Sequence, residues 1–227
     1  MTGLIAEDVL LLLLDDESGK LTERTHLDAA LGGALLTDLA LREAVELPPK
    51  TRFWKSPRVV AVPGAVLDDP LLASSLDLIA ARPRTAQDLV KRLGKAGRSD
   101  LFALLVDQGR VGIERGSVFG VFPTTRHPAD DTAYEDDLRT EVTAALVEGQ
   151  SPTERTAAVI SVLAAIDRAH KVVDRHGLSR RDVKRRAKEI ADGDWAAKAV
   201  RDAVRAAQAA TSAAASGGSD GGGDGGS

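Results

Sequence analysis

Apolar residues recur along this chain mostly with the spacing of α-helices. In the segment 4–14, Glu7 and Asp8 precede a continuous apolar run, and acidic residues suit the positive end of a helix. Thr85 has an acidic residue three positions later, as at a capped helix start, and Ser99-Asp100 is interpreted as the start of another helix. Apolar periodicity predicts further helices over 26–44, 71–80, 131–148, 153–176, 179–190 and 195–210.

Two adjacent glycines interrupt the pattern of the predicted helix 26–44. Gly32 and Gly33 lie near its middle, and each interior glycine costs a helix about 1 kcal/mol relative to alanine. A compensating gain is expected from the close approach of another helix.

Two regions have the character of β-strands. Residues 59–62 predict a short extended segment, and Val111, Ile113 and the run 118–122 flank a glycine-containing stretch at 114–117. Two β-prone runs around such a stretch predict a hairpin that turns at 114–117.

The predicted hairpin carries a concentration of large apolar side chains. Two of the four Phe residues fall in this short segment. Exposed apolar hairpins are typical of contacts with membranes or other protein copies, whereas a hairpin folded onto the core buries one face. The candidate contact residues are Val118, Phe119, Val121 and Phe122.

Composition excludes several classes of protein. The chain has 227 residues, 30 Lys plus Arg against 34 Asp plus Glu, and no Cys. Disulfides, thiolate metal sites and cysteine nucleophiles are therefore excluded, and no overall positive charge attracts nucleic acid. The longest apolar run, 9–14, is far shorter than the ~20 residues of a membrane-spanning helix. With no signal-peptide pattern at its N-terminus, the chain is expected in the cytoplasm.

Positive charge is concentrated toward the C-terminal end. Residues 153–205 carry 13 Lys or Arg and eight Asp or Glu. This surface is either a solvated helix face or a site for anionic lipid headgroups. Nucleic acid is not expected as a partner, since aromatic residues that stack on bases are missing nearby. The densest basic positions are Arg180, Arg181, Lys184, Arg185 and Lys188.

No catalytic constellation is evident in the sequence. Nucleophile elbows, dinucleotide fingerprints and phosphate loops are all missing from the sequence. Asp167, His170 and Asp174 would share one face of the predicted helix 153–176 and could bind a metal, but intrahelical pairing explains them as well. We therefore expect no catalytic residues, no metal and no cofactor.

Several sequence blocks together resemble the Golgi phosphoprotein 3 family, in its bacterial branch. The similarity extends over about residues 3–210, and the order and spacing of the blocks agree with the family. The blocks are 4–14 with the acidic glycine turn after it, 30–42, 104–111 leading into the hairpin, and 124–128 after it.

This resemblance implies a mostly α fold. It predicts a single globular helical domain, 1–210, with one projecting β-hairpin. Residues 211–227 are expected to be a disordered C-terminal tail, because from Ser212 onward the chain holds only Ser, Ala, Gly and Asp and cannot bury much apolar surface.

The resemblance also implies a function. Eukaryotic relatives bind phosphatidylinositol 4-phosphate on Golgi membranes and hold the cytosolic tails of glycosyltransferases, and their hairpin supports self-association and membrane insertion. Two basic positions of the family's headgroup pocket correspond to Lys95 and Arg98, a third corresponds to Gly32, and the loop after the first helix lacks the family's Trp.

The implied function is that of a non-enzymatic protein that binds phosphoinositide-like or other anionic headgroups at the inner face of a membrane. The alternative is a soluble scaffold that oligomerises through the hairpin and binds protein tails without lipid.

Overall fold

A computed structural model describes residues 3–14, 26–48, 57–112, 114–118, 122–126, 133–193 and 198–216. This part of the chain is mostly helical, as predicted. In chain order its elements are α1 (Ile5–Leu13), α2 (Leu27–Leu41), β1 (Val45–Glu46), β2 (Val60–Ala61), α3 (Pro70–Ala80), α4 (Ala86–Asp107), β3 (Glu114–Val118), β4 (Phe122–Arg126), α5 (Ala133–Leu146), α6 (Glu154–Ala165), α7 (Arg180–Asp192) and α8 (Lys198–Ser216). β1 pairs with β2 and β3 with β4, both antiparallel.

Helix α2 is the centre of the fold. It packs against α1, α4, α6 and α8, and all of its residues from Ala29 to Ala40 are buried. Every residue of α1 is buried as well. A helix that is apolar on all sides needs partners on all sides, so the other helices surround this pair.

The glycines of α2 allow α4 to approach at backbone distance. A Cβ atom at Gly32 would lie 1.8 Å from the carbonyl oxygen of Val90, and one at Gly94 would lie 1.7 Å from the carbonyl oxygen of Asp28. Each helix therefore presents a glycine to the backbone of the other. The expected close approach at Gly32 and Gly33 is confirmed, because Gly33 in turn lies against the side chain of Thr211 on α8.

A buried carboxylate joins α2 to the start of α1. The backbone N–H groups of Ile5 and Ala6 donate to Asp38 Oδ1 and Oδ2 at 3.1 Å each, which satisfies two of the free donors at a helix N-terminus. Arg42 donates to the same carboxylate at 2.8 Å. Burial nevertheless raises the pKa of Asp38 to about 6, against the opposing effect of these partners.

The raised pKa of Asp38 predicts a pH-dependent stability. Between its usual pKa and about 6 the folded protein binds this proton more tightly than the unfolded chain, so the free energy of unfolding falls as the pH rises. We expect a loss of roughly 2 kcal/mol between about pH 4 and about pH 6 that the Asp38→Asn variant does not show. Urea unfolding of both proteins across this range measures it, and parallel pH profiles would contradict it.

A second buried charge cluster surrounds the first turn of α1. Glu7 accepts a hydrogen bond from the backbone N–H of Leu4 at 2.8 Å, and Asp8 accepts one from the Tyr134 hydroxyl at 2.7 Å. Arg155 of α6 forms an ion pair with Asp8 at 2.6 Å and donates to the carbonyl oxygens of Gly3 and Leu4. The acidic residues at the start of α1 are therefore buried, and Asp8 contacts side chains of neighbouring helices.

Helix α4 is continuous, and the second helix start predicted at Ser99-Asp100 is wrong. Thr85 caps the helix as predicted, by accepting a hydrogen bond from the N–H of Asp88 at 3.3 Å. Burial explains the continuity, because one stripe spaced four residues apart faces the core along the whole helix. Its members are Leu89, Leu93, Gly97, Leu101 and Leu105.

The hairpin forms with a different turn from the one predicted. Glu114 pairs with Arg126 and Val118 pairs with Phe122, so residues 114–117 belong to β3. Thr is a residue favoured in strands, and β4 contains two of them. In the described part of the chain, the main contacts of both strands are with each other, consistent with a projecting hairpin.

Helix α6 ends at Ala165, eleven residues before the end predicted from periodicity. Asp167 and His176 have positive φ angles of 58° and 43°, which an α-helix does not accommodate. Ile166, Ala169 and Val172 are still buried. The apolar spacing after Ala165 therefore comes from turns that face the core and not from a continued helix.

Helix α8 extends to Ser216, six residues beyond the predicted domain end at 210. Thr211 and Ala215 are buried, and the Thr211 hydroxyl donates to the carbonyl oxygen of Ala207 at 2.7 Å. The run of alanines at 213–215 favours helix, which the compositional prediction neglected. Residues 217–227 of the predicted tail lie outside the described residues.

Candidate functional site

Lys95 and Arg98 lie one turn apart on α4, beside its crossing with α2. Lys95 is exposed, and Arg98 is partly buried. The Arg98 guanidinium lies 3.4 Å from the carboxylate of Asp28, in the first turn of α2. The structure therefore places Arg98 next to a helix N-terminus, with Lys95 one turn earlier on α4.

A third cation belongs to this face. Lys91 is exposed and lies one turn before Lys95, so Lys91, Lys95 and Arg98 follow the i, i+4, i+7 spacing of one helix face. The sequence prediction missed Lys91, although this spacing could have found it. We call these three residues the α4 basic face.

The first turn of α2 adds to the attraction for anions. The helix dipole favours negative charge there, and Gly94 brings this turn against α4 at Asp28. The Asp28 carboxylate opposes the attraction, because it pairs with Arg98. Both side chains are about half exposed, at 41% for Arg98 and 46% for Asp28, and such surface pairs are weak. An arriving anion can therefore compete for Arg98.

Position 32 contributes no cation. It is glycine, and a side chain here would collide with the Val90 carbonyl oxygen. The family's third basic position is therefore incompatible with the helix crossing of this protein.

The predicted basic surface on α7 is largely paired with acidic groups. Arg180 and Lys184 lie 3.4 and 2.5 Å from the carboxylate of Asp167, and Arg185 lies 2.8 Å from Asp182. Burial disfavours the charge on Asp167, but the hydrogen bond and charge of Lys184 outweigh it and lower the pKa of that carboxyl. Of the five predicted residues, the other two, Arg181 and Lys188, have no ion pair within the described residues.

The candidate metal ligands do not share a helix face. Asp167, His170 and Asp174 lie in the turns after α6, so the i, i+3, i+7 geometry does not exist. Asp174 accepts a hydrogen bond from the backbone N–H of His176, and burial lowers the pKa of His170. Among the residues that the structure describes, no three His, Asp or Glu side chains cluster as metal ligands.

The hairpin contact residues can be placed only in part. Val118 and Phe122 face each other as the last pair of the β3–β4 ladder. Phe119 and Val121 lie outside the described residues, as do the side chains of Val118 and Phe122. The prediction that these side chains contact a membrane or another copy therefore stays a prediction.

The family model described as Golgi phosphoprotein 3 (GPP34) matches residues 5–207, from the first residue of α1 into α8. The chain belongs to the Golgi phosphoprotein 3 family. A search of curated proteins found no match. The Golgi phosphoprotein 3 family is not a known enzyme family, and no helix in the described part of this member is both long and apolar enough to cross a membrane.

Proposed function

We propose that this Golgi phosphoprotein 3 family member binds the anionic headgroups of membrane lipids through the α4 basic face. The observation that supports this most directly is the alignment of Lys91, Lys95 and Arg98 on one face of α4, with Arg98 beside the N-terminal turn of α2. A phosphate placed there meets ammonium and guanidinium donors together with the positive end of a helix.

The composition of this face predicts attraction by charge more than recognition of one headgroup. A lysine binds phosphate as a point charge, whereas an arginine offers a planar fork with two parallel hydrogen bonds. Two of the three cations are lysines, and the arginine is already engaged with Asp28. Binding is therefore expected to be reversible, with each basic residue contributing about 1 kcal/mol near an acidic membrane.

Liposome flotation at near-physiological salt tests this function. Vesicles with phosphatidylinositol 4-phosphate are compared with vesicles of equal charge made from phosphatidylserine. We expect both to bind the protein, and the Lys95→Ala/Arg98→Ala variant to lose about 30-fold in partitioning, which corresponds to two cations. A failure to float with either vesicle contradicts the proposal.

Two further variants locate the binding. Arg181→Ala/Lys188→Ala removes the same charge from α7, so it should lose less binding than the α4 variant if the α4 face is the site. Asp28→Asn releases Arg98 from its ion pair and should strengthen binding. Equal losses in the two double variants would assign binding to the protein's general charge and overturn the α4 site.

A protein-binding scaffold is the competing function, and the hairpin favours it. Within the described residues, the main contacts of β3 and β4 are with each other, so this hairpin could receive a second copy or a protein tail. Sedimentation analysis without vesicles, on the parent protein and on the Phe119→Ser/Phe122→Ser variant, distinguishes this function. Concentration-dependent self-association that the variant loses would support the scaffold.

A further inference from the structure

A cavity of about 460 Å³ lies between α6, α7, α8 and the turns after α6. Its volume is within the range of small-molecule sites, which is about 300–1,000 Å³. Six of the described residues that line it are alanines, among them Ala165, Ala169, Ala187 and Ala191, and the others are polar or charged. Small side chains on three packed elements leave this space open, and their methyl groups give it apolar wall segments. The cavity lies apart from the α4 residues of the headgroup site.

Three polar side-chain atoms that are buried in the cavity wall lack a hydrogen-bond partner within the described structure. They are the hydroxyl of Ser161, Nδ1 of His170 and the amide nitrogen of Gln208. Ser161 is 1% exposed and His170 is 7% exposed, and His170 Nδ1 is 4.0 Å from Asp167, beyond hydrogen-bond distance. Buried polar groups are nearly always hydrogen-bonded, so three such atoms around one cavity are groups that a polar ligand can satisfy.

The charge at the cavity indicates the sign of that ligand. Among the described residues, Lys184, Lys188 and Arg205 line it together with the carboxylates of Asp167 and Asp192, so these five side chains carry a single excess positive charge. Lys184 is paired with Asp167 at 2.5 Å. Arg205 donates a hydrogen bond to the backbone carbonyl oxygen of Asp192 at 3.0 Å. Lys188 has neither an ion pair nor a hydrogen bond within the described residues, so it is the lining cation that remains for a ligand.

The donors and the walls together define a ligand class. We propose that this cavity binds a small aliphatic carboxylate, with its hydrocarbon body against the alanine methyl groups and its carboxylate accepting hydrogen bonds from Lys188 and the Gln208 amide. A carboxylate is favoured over a phosphate monoester, since one negative charge balances the single excess cation of the described lining residues, whereas two would leave the site with an excess negative charge. The hydroxyl of Ser161 can serve as a further donor.

Nuclear magnetic resonance titration with butyrate tests this site, at constant ionic strength and with butylammonium as the matched cation. The signal to follow is the side-chain amide of Gln208, assigned by its loss in Gln208→Leu. We expect a saturable shift with butyrate and none with butylammonium. Lys188→Ala should weaken butyrate binding about tenfold, as for a lost charged hydrogen bond. Arg181→Ala, about two helix turns away on α7 and outside the described lining of the cavity, should leave it unchanged.

A second variant tests the cavity space itself, without changing the polar side chains. Ala191→Leu fills the cavity and retains Ser161, His170, Gln208 and Lys188, so it should abolish the butyrate response. The proposal is overturned if butyrate gives no saturable shift up to about 50 mM, a concentration that covers weak fragment binding. It is also overturned by an equal response to butylammonium, by an equal loss in Arg181→Ala, or by an unchanged response in folded Ala191→Leu.

Discussion

Gly32→Ala is expected to destabilise the protein by about 4 kcal/mol or to prevent folding. The added methyl group would lie 1.8 Å from the carbonyl oxygen of Val90, so α2 and α4 would have to separate. Backbone atoms cannot rotate away as a side chain can, and the separation would open the interface at the centre of the fold. Urea unfolding followed by circular dichroism measures the loss.

The neighbouring glycine is the matched comparison. A Cβ atom at Gly33 would lie 2.2 Å from Thr211 Oγ1, a side-chain atom, and 3.3 Å from Thr211 Cβ. Gly33→Ala should therefore be partly rescued by Thr211→Ala, whereas no side-chain truncation should rescue Gly32→Ala. Gly149→Ala is a control for backbone strain alone: its φ is +78° with open space around it, so it should cost about 1 kcal/mol. Equal costs at positions 32 and 149 would contradict the crossing argument.

This glycine pair shows what sequence can predict about the fold. Gly32 and Gly33 indicated a close approach, because two glycines within an apolar helix are stabilised only by tight packing. The second contact of this crossing is made by Gly94 on α4, and the apolar pattern does not reveal that α4 lies there. Apolar periodicity located most helices for the same reason: burial has the period of the helix. It failed beyond Ala165, since a buried turn can present apolar residues at a similar spacing.

The candidate sites were predictable to different degrees. Lys95 and Arg98 came from a family resemblance, and Lys91 follows from helical spacing once α4 is known. The pairing of Arg98 with Asp28, and of Lys184 with Asp167, joins residues that are far apart or separated by a change of direction in the chain. Local patterns contain no information on such pairs. The sequence of α7 therefore predicted a larger positive charge than remains after its basic side chains pair with Asp167 and Asp182.

The Asp8–Arg155 ion pair is the other contact with a large expected effect. The Asp8 side chain is fully buried and that of Arg155 is 25% exposed. Burial raises the pKa of Asp8 despite the opposing charge of Arg155 and the Tyr134 hydroxyl. We expect Arg155→Met to cost about 3–5 kcal/mol at neutral pH, because it leaves a carboxylate enclosed without its counter-charge.

Matched variants separate the buried charge from a simple lost contact. Arg92→Met breaks a surface ion pair in which the Arg92 side chain is 52% exposed and the Asp88 side chain 42%. This variant should cost less than about 1 kcal/mol. Asp8→Asn combined with Arg155→Met should be less damaging than Arg155→Met alone, since the enclosed charge is gone. A double variant that is as unstable as the sum of both single variants would show that the charge itself is not responsible.

The deficit of Arg155→Met should also depend on pH. Without Arg155, the pKa of Asp8 in the folded protein rises further above its value in the unfolded chain, so the folded state binds a proton more tightly. The free energy of unfolding of the variant should then increase relative to the parent protein as the pH falls from about 7 toward about 5. Urea titrations at both pH values measure this difference. A deficit that is the same at both would mean that the variant loses only the hydrogen bonds from Arg155 to the carbonyl oxygens at the start of α1.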